Sequence, residues 1–204
     1  MMEEKEEGRM KKLLLITGDL ATGKSTFAGQ LARRYGVHVF YKDTFKEILG
    51  DTIGFSSREE NLKLSVASAA LMRMVFSEFC GLGEDLILES NFRQAELELL
   101  HEIADRHGYE VLTVALRGDL QVLHERFLHR LYHEDRHVVH ACGGFEDLEN
   151  FRAYVLGQRD LQIPGEHLEL SADTFDYQED EGVLARLDRF MGREGHVCAL
   201  HLDR

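Results

Sequence analysis

Gly18-Asp-Leu-Ala-Thr-Gly23-Lys24-Ser25-Thr26 fits G-x-x-x-x-G-K-[ST], the pattern of a phosphate-binding P-loop. Its flanks fit as well. Leu13-Leu-Leu-Ile-Thr17 precedes it, a short apolar run that reads as a strand buried on both faces. Phe27, Ala28, Leu31 and Ala32 follow at helical spacing within a helix from Ser25 to Tyr35. Strand, glycine loop and helix are the order that phosphate binding requires. The glycines let several backbone N–H groups turn toward one phosphate chain, and the helix start adds partial positive charge behind them. Gly18, Asp19, Leu20, Ala21, Thr22, Gly23, Lys24, Ser25 and Thr26 are therefore expected to hold ATP. Lys24 reaches the β- and γ-phosphates, and the Ser25 hydroxyl is a ligand for Mg²⁺.

The chain has 204 residues, a length that suits one domain with a substantial core. Its net charge of −13, with Lys and Arg scattered, weighs against a polynucleotide partner, which selects for basic stripes. No uninterrupted apolar run approaches the ~20 residues of a membrane span, so no membrane partner is expected. The acidic start does not read as a signal peptide, and Cys80, Cys142 and Cys198 are few and far apart. A cytoplasmic protein with reduced thiols is the expectation.

Working outward from the P-loop, Val37 to Tyr41 is a second strand, followed by a short helix from Thr44 to Leu49. A capping box, Ser57 to Glu60, opens a long helix to about Phe79. Asp85 to Glu89 is a third strand, Gln94 to Arg106 a helix, and Glu110 to Leu116 a fourth strand. Asp119 caps a helix to about Arg130, and an irregular polar stretch runs from Leu131 to Gly144. Phe145 to Gln158 is partly helical, Glu166 to Leu170 is a fifth strand, and Gly182 to Met191 is the last helix. Residues 1–11 read as a tail, and Gly195 to Arg204 as a short strand or a second tail. Strands alternating with helices predict an α/β fold whose parallel sheet is covered on both faces. Right-handed crossovers then bring the P-loop, Asp43 and Glu89 to one sheet edge.

Phosphoryl transfer needs a phosphate cradle, a metal, charge neutralisation and an activated acceptor. Glu89 ends the third strand and is the second metal-side candidate beside Ser25; otherwise it is a plain strand-end acid. Asp43, at the end of the second strand, is the candidate general base, or else an N-cap for the helix that follows. Arg126 and Arg130 share a helix face and, with Arg136, offer charge neutralisation from a lid of about residues 126–144; the alternative is a solvated arginine face. His129, His133 and His137 fall at i, i+4 and i+8, which would suit zinc on a continuous helix, although no standard zinc signature is present.

These residues resemble P-loop kinases of the polynucleotide-kinase-like group, which includes gluconate kinase-like, chloramphenicol phosphotransferase-like and zeta-toxin-like proteins. The P-loop, Asp43, Leu86-Ile-Leu-Glu-Ser-Asn-Phe92, and Leu123 to His140 carry the resemblance, which covers about residues 12–190. It implies a three-layer fold with a five-stranded sheet in the order 2-3-1-4-5, and transfer of the ATP γ-phosphate to a hydroxyl. It also implies that Asp173 and Thr174 lie on the adenine side, with Asp43, Asn91, Arg93 and Arg136 on the acceptor side. Polynucleotide kinases place a basic partner after this aspartate, whereas Asp43 is followed by Thr44-Phe45. With the acidic charge, that departure favours a small acceptor. A polynucleotide 5′-hydroxyl kinase and a nucleotide-switched NTPase are the competing functions.

Overall fold

The apolar run around Leu14 becomes the central strand of a five-stranded parallel sheet in the computed structural model, which describes residues 9–140 and 144–193. That strand, β1 (Lys11–Gly18), lies between β3 (Leu86–Glu89) and β4 (Tyr109–Arg117). The sheet edges are β2 (His38–Tyr41) and β5 (Glu166–Ser171), so the order is 2-3-1-4-5, as the resemblance implies. Leu13, Leu14, Leu15 and Ile16 are all fully buried because helices cover both sheet faces. Leu14 and Ile16 pack with Phe27, Leu31 and Leu187 from α1 (Lys24–Tyr35) and α7 (Glu181–Phe190). On the other face Leu13 and Leu15 meet Met72, Phe76, Leu97 and Leu100 from α3 (Arg58–Leu82) and α4 (Gln94–His107). The two faces alternate residue by residue, as strand geometry dictates.

A smaller cluster joins α5 (Leu120–His133) to α6 (Leu148–Arg159) through Leu123, Phe127, Phe151 and Val155. Leu20 and Ala21 of the P-loop pack against it. Three helices run further than the sequence suggests, α5 among them, which reaches His133. The helix α2 (Lys42–Ile53) continues through Gly50, and α3 continues through Gly81 to stop at left-handed Gly83. In α2 the N-cap position is Tyr41, so Asp43 lies inside the first turn and is not the cap. By length and composition α3 could cross a membrane, but one face, from Leu64 to Cys80, is buried within the fold. Of the expected tail at residues 1–11, Lys11 already belongs to β1 and Arg9 pairs with Asp85 and donates to the Met191 carbonyl; residues 1–8, Cys142, Cys198 and the segment from Gly195 to Arg204 lie outside the described residues.

The strand register positions the site. Glu89 pairs with Ile16 on one side and Tyr41 on the other, so β2 and β3 end together while β1 runs on beside β4 to Gly18. Gly18 sits where β1 leaves the sheet, at φ 124°, and a Cβ there would stand 2.0 Å from the Leu116 carbonyl oxygen. Only glycine fits this exit.

Arg34 of α1 forms a two-pronged ion pair with Asp188 of α7, and the Tyr35 hydroxyl donates to the same carboxylate at 3.0 Å. The hydrogen bond from Arg34 holds the Asp188 carboxyl below its ordinary pKa. A carboxyl whose folded pKa is depressed stabilises the fold above its unfolded value, and that contribution vanishes as pH falls through the folded value. Asp188→Asn is therefore expected to cost about 1–3 kcal/mol at pH 7 and much less near pH 2. Urea unfolding at the two pH values measures the difference.

Candidate active site

The P-loop lines a cavity of about 590 Å³ at the C-terminal edge of the sheet, together with Asp43, Glu89, Arg130 and Arg136. Thr22 accepts a 2.7 Å hydrogen bond on its carbonyl from the buried Tyr177 hydroxyl, which fixes the loop from below. Ala21 is the one described non-glycine residue with positive φ, at 58°. The Lys24 ammonium donates to the Asp19 carbonyl and lies against Thr22 Oγ1. Burial lowers the Lys24 pKa, against the attraction of Glu89, Asp43 and Asp19. The Ser25 hydroxyl donates to Glu89 Oε2 at 2.9 Å. Burial raises the Glu89 carboxyl pKa, while Lys24 and the Ser25 hydrogen bond oppose the rise.

A second cavity, of about 210 Å³, opens beside the first. Leu20, Asp43, Asn91 and Arg136 line both. Asp43 is exposed at the junction, and His140 Nδ1 lies 4.0 Å from its carboxylate. His140 Nε2 in turn lies 2.8 Å from Glu47 Oε1. Arg136 stands over the Phe127 ring at 5.3 Å.

No protein-family model and no curated protein matches the chain. Solved structures do match it. A proposed kinase from Chloroflexus aurantiacus is 26% identical with a TM-score of 0.76, covering 89% of this chain and 98% of its own. A gluconokinase from Sinorhizobium meliloti is 17% identical with a TM-score of 0.57, covering 92% of this chain and 99% of its own. The APS kinase of Mycobacterium tuberculosis, solved with AMPPNP and APS, is 17% identical with a TM-score of 0.53, covering 88% of this chain and 98% of its own. The chain has the fold of the P-loop kinases.

Several expected site residues stand elsewhere than the sequence suggests. The Asp19 side chain points away from the nucleotide cavity, toward Arg159 Nε at 3.1 Å and the Gly118 N–H at 3.1 Å. Gly18 lies in the sheet and does not line the cavity. Arg126 donates to the Ala172 carbonyl at 2.6 Å and to the Asp173 carbonyl, and its guanidinium lies 4.3 Å from the Phe175 ring centroid. It is thus engaged beside the loop after β5. Asp173 accepts from the Asp119 N–H, and Thr174 donates to Asp176. Phe175 and Gln178, not these two, face the cavity. Arg93 lines the second cavity alone. Aromatic Phe175 follows Asp173-Thr174 directly in the sequence, so the loop was legible but its cavity-facing member was not.

The histidines do not converge. α5 ends at His133, so His129 and His133 are neighbours while His137 departs to pair with Asp51 at 3.0 Å. Among the described residues no group of three metal-ligating side chains forms. The polar stretch is also better anchored than its sequence suggests. Val139 is buried in the short turn Val138–His140, and its carbonyl accepts from Asn61 Nδ2 at 2.9 Å and Lys46 Nζ at 3.2 Å. Gly50 makes room for it, because a Cβ there would stand 2.4 Å from Val139 Cγ1.

Glycine to alanine inside a helix ordinarily gains up to ~1 kcal/mol. Gly81→Ala, with open space around it, is expected to show that gain. Gly50→Ala is expected to lose stability and to raise hydrogen exchange at residues 138–140. Thermal melts and exchange mass spectrometry compare the two.

Proposed function

We propose that the chain is a single-domain, ATP- and Mg²⁺-dependent kinase that transfers the γ-phosphate to a hydroxyl of a small molecule. The observation that carries this reading is Asp43 on the wall shared by the P-loop cavity and the second cavity. A γ-phosphate entering from one side and a hydroxyl entering from the other meet beside one carboxylate. Proteins of the same fold include a gluconokinase and an APS kinase, which agrees with transfer to a hydroxyl. A cytosolic setting, where ATP is abundant, accords with it.

The roles follow from charge and position. Lys24 is the point charge for the β- and γ-phosphates. The donor set of Ser25 hydroxyl and Glu89 carboxylate, already joined by a hydrogen bond, suits a hard cation that keeps most of its waters. Mg²⁺ held there would supply charge neutralisation to the phosphates. Arg130 and Arg136 face the same cavity and add positive charge around the transferred group. Arg126 with Phe175 offers a flat cationic and aromatic surface for the base. The segment from Arg126 to Gly144, of which 141–143 lie outside the described residues, serves as the lid, seated on α2 and α3 through Val139.

In the transfer, the acceptor oxygen forms a bond to the γ-phosphorus as the bond to the β–γ bridging oxygen breaks. ADP leaves with that electron pair, and the acceptor proton passes to the Asp43 carboxylate. Asp43→Asn keeps the shape and removes the proton acceptor. Turnover on an accepted hydroxyl compound is expected to fall ~10²–10⁴-fold, with ATP affinity little changed. Near-normal turnover would assign the base elsewhere.

Lys24→Ala is expected to abolish transfer while the melting curve stays cooperative, since the hydrogen bonds lost are to loop oxygens and Glu89 keeps its bond from Ser25 as the attraction of the ammonium is lost. ADP release assayed across sugars, nucleosides, antibiotics and oligonucleotides supplies the acceptor for both measurements. An active Lys24→Ala protein would sink the P-loop assignment.

A further inference from the structure

The second cavity is charged opposite to the protein that contains it. The chain carries a net charge of −13. Yet Lys42, Lys46, Arg58, Arg93 and Arg136 all line this space of about 210 Å³, against the single carboxylate of Asp43. The five cations come from four segments: the start of α2, which supplies Lys42 and Lys46, the start of α3, the loop after β3, and the stretch after α5. Such a gathering is not the by-product of one solvated helix face.

The partners of these cations differ. Lys42 lies 3.9 Å from Glu96 and 3.4 Å from the Asn91 carbonyl, and Lys46 donates to the Val139 carbonyl. Arg58, Arg93 and Arg136 form no ion pair among the described residues, where ion pairs are otherwise plentiful. One guanidinium nitrogen of Arg136, Nη1, is buried with no hydrogen-bond partner. Like charges converging on a partly enclosed space repel, and a buried donor without an acceptor costs free energy. An anion in the cavity relieves both, and the planar forks of Arg58 and Arg93 match a carboxylate or a phosphate.

Building on the kinase reading, we infer that the acceptor carries an anionic group, a carboxylate or a phosphate, in addition to the hydroxyl that Asp43 deprotonates. The anion is held by Arg58 and Arg93, which line the second cavity and not the nucleotide cavity. Asp43 at the junction keeps the reacting hydroxyl away from the cationic end. Phe127, Phe145 and Val139 supply apolar wall for a carbon skeleton, and Asn61 and Tyr154 supply polar contacts. The modest volume suits a small molecule over a polymer strand.

The test uses the whole protein saturated with AMPPNP and Mg²⁺, so that the P-loop is filled. Glycerate, glycerol 3-phosphate and glycerol are titrated into it by calorimetry. At least one anion is expected to bind saturably, and ~10-fold or more tightly than glycerol. Arg58→Gln and Arg93→Gln are each expected to weaken that anion by ~10-fold or more. Preference for glycerate assigns a carboxylate, and preference for glycerol 3-phosphate assigns a phosphate. Three results overturn the inference: glycerol binding as well as the anions, no binding of either anion, or anion affinity unchanged in both variants. A 5′-hydroxyl oligonucleotide that binds more tightly than both anions, with steep salt dependence, overturns it in favour of a polynucleotide acceptor. AMPPNP failing to bind the unaltered protein would sink the kinase reading instead. The anion titration, repeated without nucleotide on the same arginine variants, would still decide the charge of the second cavity.

Discussion

The close approach of Gly18 to the Leu116 carbonyl is the constraint on which the site depends. β1 must turn out of the sheet immediately after its last ladder bond, while β4 presses against it. Without a side chain at Gly18 the chain makes that turn, and the Asp19 N–H bonds the Leu116 carbonyl at 2.8 Å. The Asp19 carboxylate is then driven inward, where Arg159 of α6 and the Gly118 N–H satisfy it. A buried carboxylate with these partners is costly to disturb, because removing one partner leaves charge uncompensated. The phosphate loop is thereby tied at its start to β4 and α6, and at its middle to Tyr177.

Behind the loop, Lys24 and Glu89 are both buried at the edge where the strands end. Burial disfavours both charges, and their mutual attraction offsets part of that cost. On the proposed reading, a ligand that brings both signs of charge would relieve the pair, with phosphates toward the ammonium and a hard cation toward the carboxylate. Such preorganisation spends fold stability on binding chemistry, as functional sites generally do.

The acidity of the chain and the basicity of its second cavity are compatible because they occupy different places. Apart from the buried Asp19 and Glu89, most of the described acids lie on solvated faces, where repulsion is screened within about 8–10 Å. The cations converge on one recess, with Arg58 and Arg93 exposed at its edge and Lys42, Lys46 and Arg136 half-buried, and their summed field attracts an anion there. Val139, seated against Gly50, brings His140 beside Asp43 and Arg136 toward the cavity mouth. The stretch after α5 thus joins the two recesses, and its anchor is an apolar contact in a segment that reads as polar.

The sheet, its parallel strands and the P-loop were legible in the amino-acid sequence. Those features are local: an apolar run, two glycines at fixed spacing, and a helical stripe each carry their own physics. The sequence also marked Ser25, Lys24, Asp43 and Glu89, because strand ends of a parallel sheet fall on one edge whatever the loops do. Which polar side chains face a cavity depended on the packing of distant segments. Asp19 looked like a phosphate contact and turned inward, while Arg126 looked like a γ-phosphate group and is engaged beside Phe175. Arg58 read as the first residue of a capped helix, and Lys46 as part of a short one, yet both converge with Arg93 and Arg136. Their convergence depends on the rotation of α2 and α3 about their axes. That rotation is set by contacts such as Val139 on Gly50, between residues far apart in the chain, which periodicity does not encode.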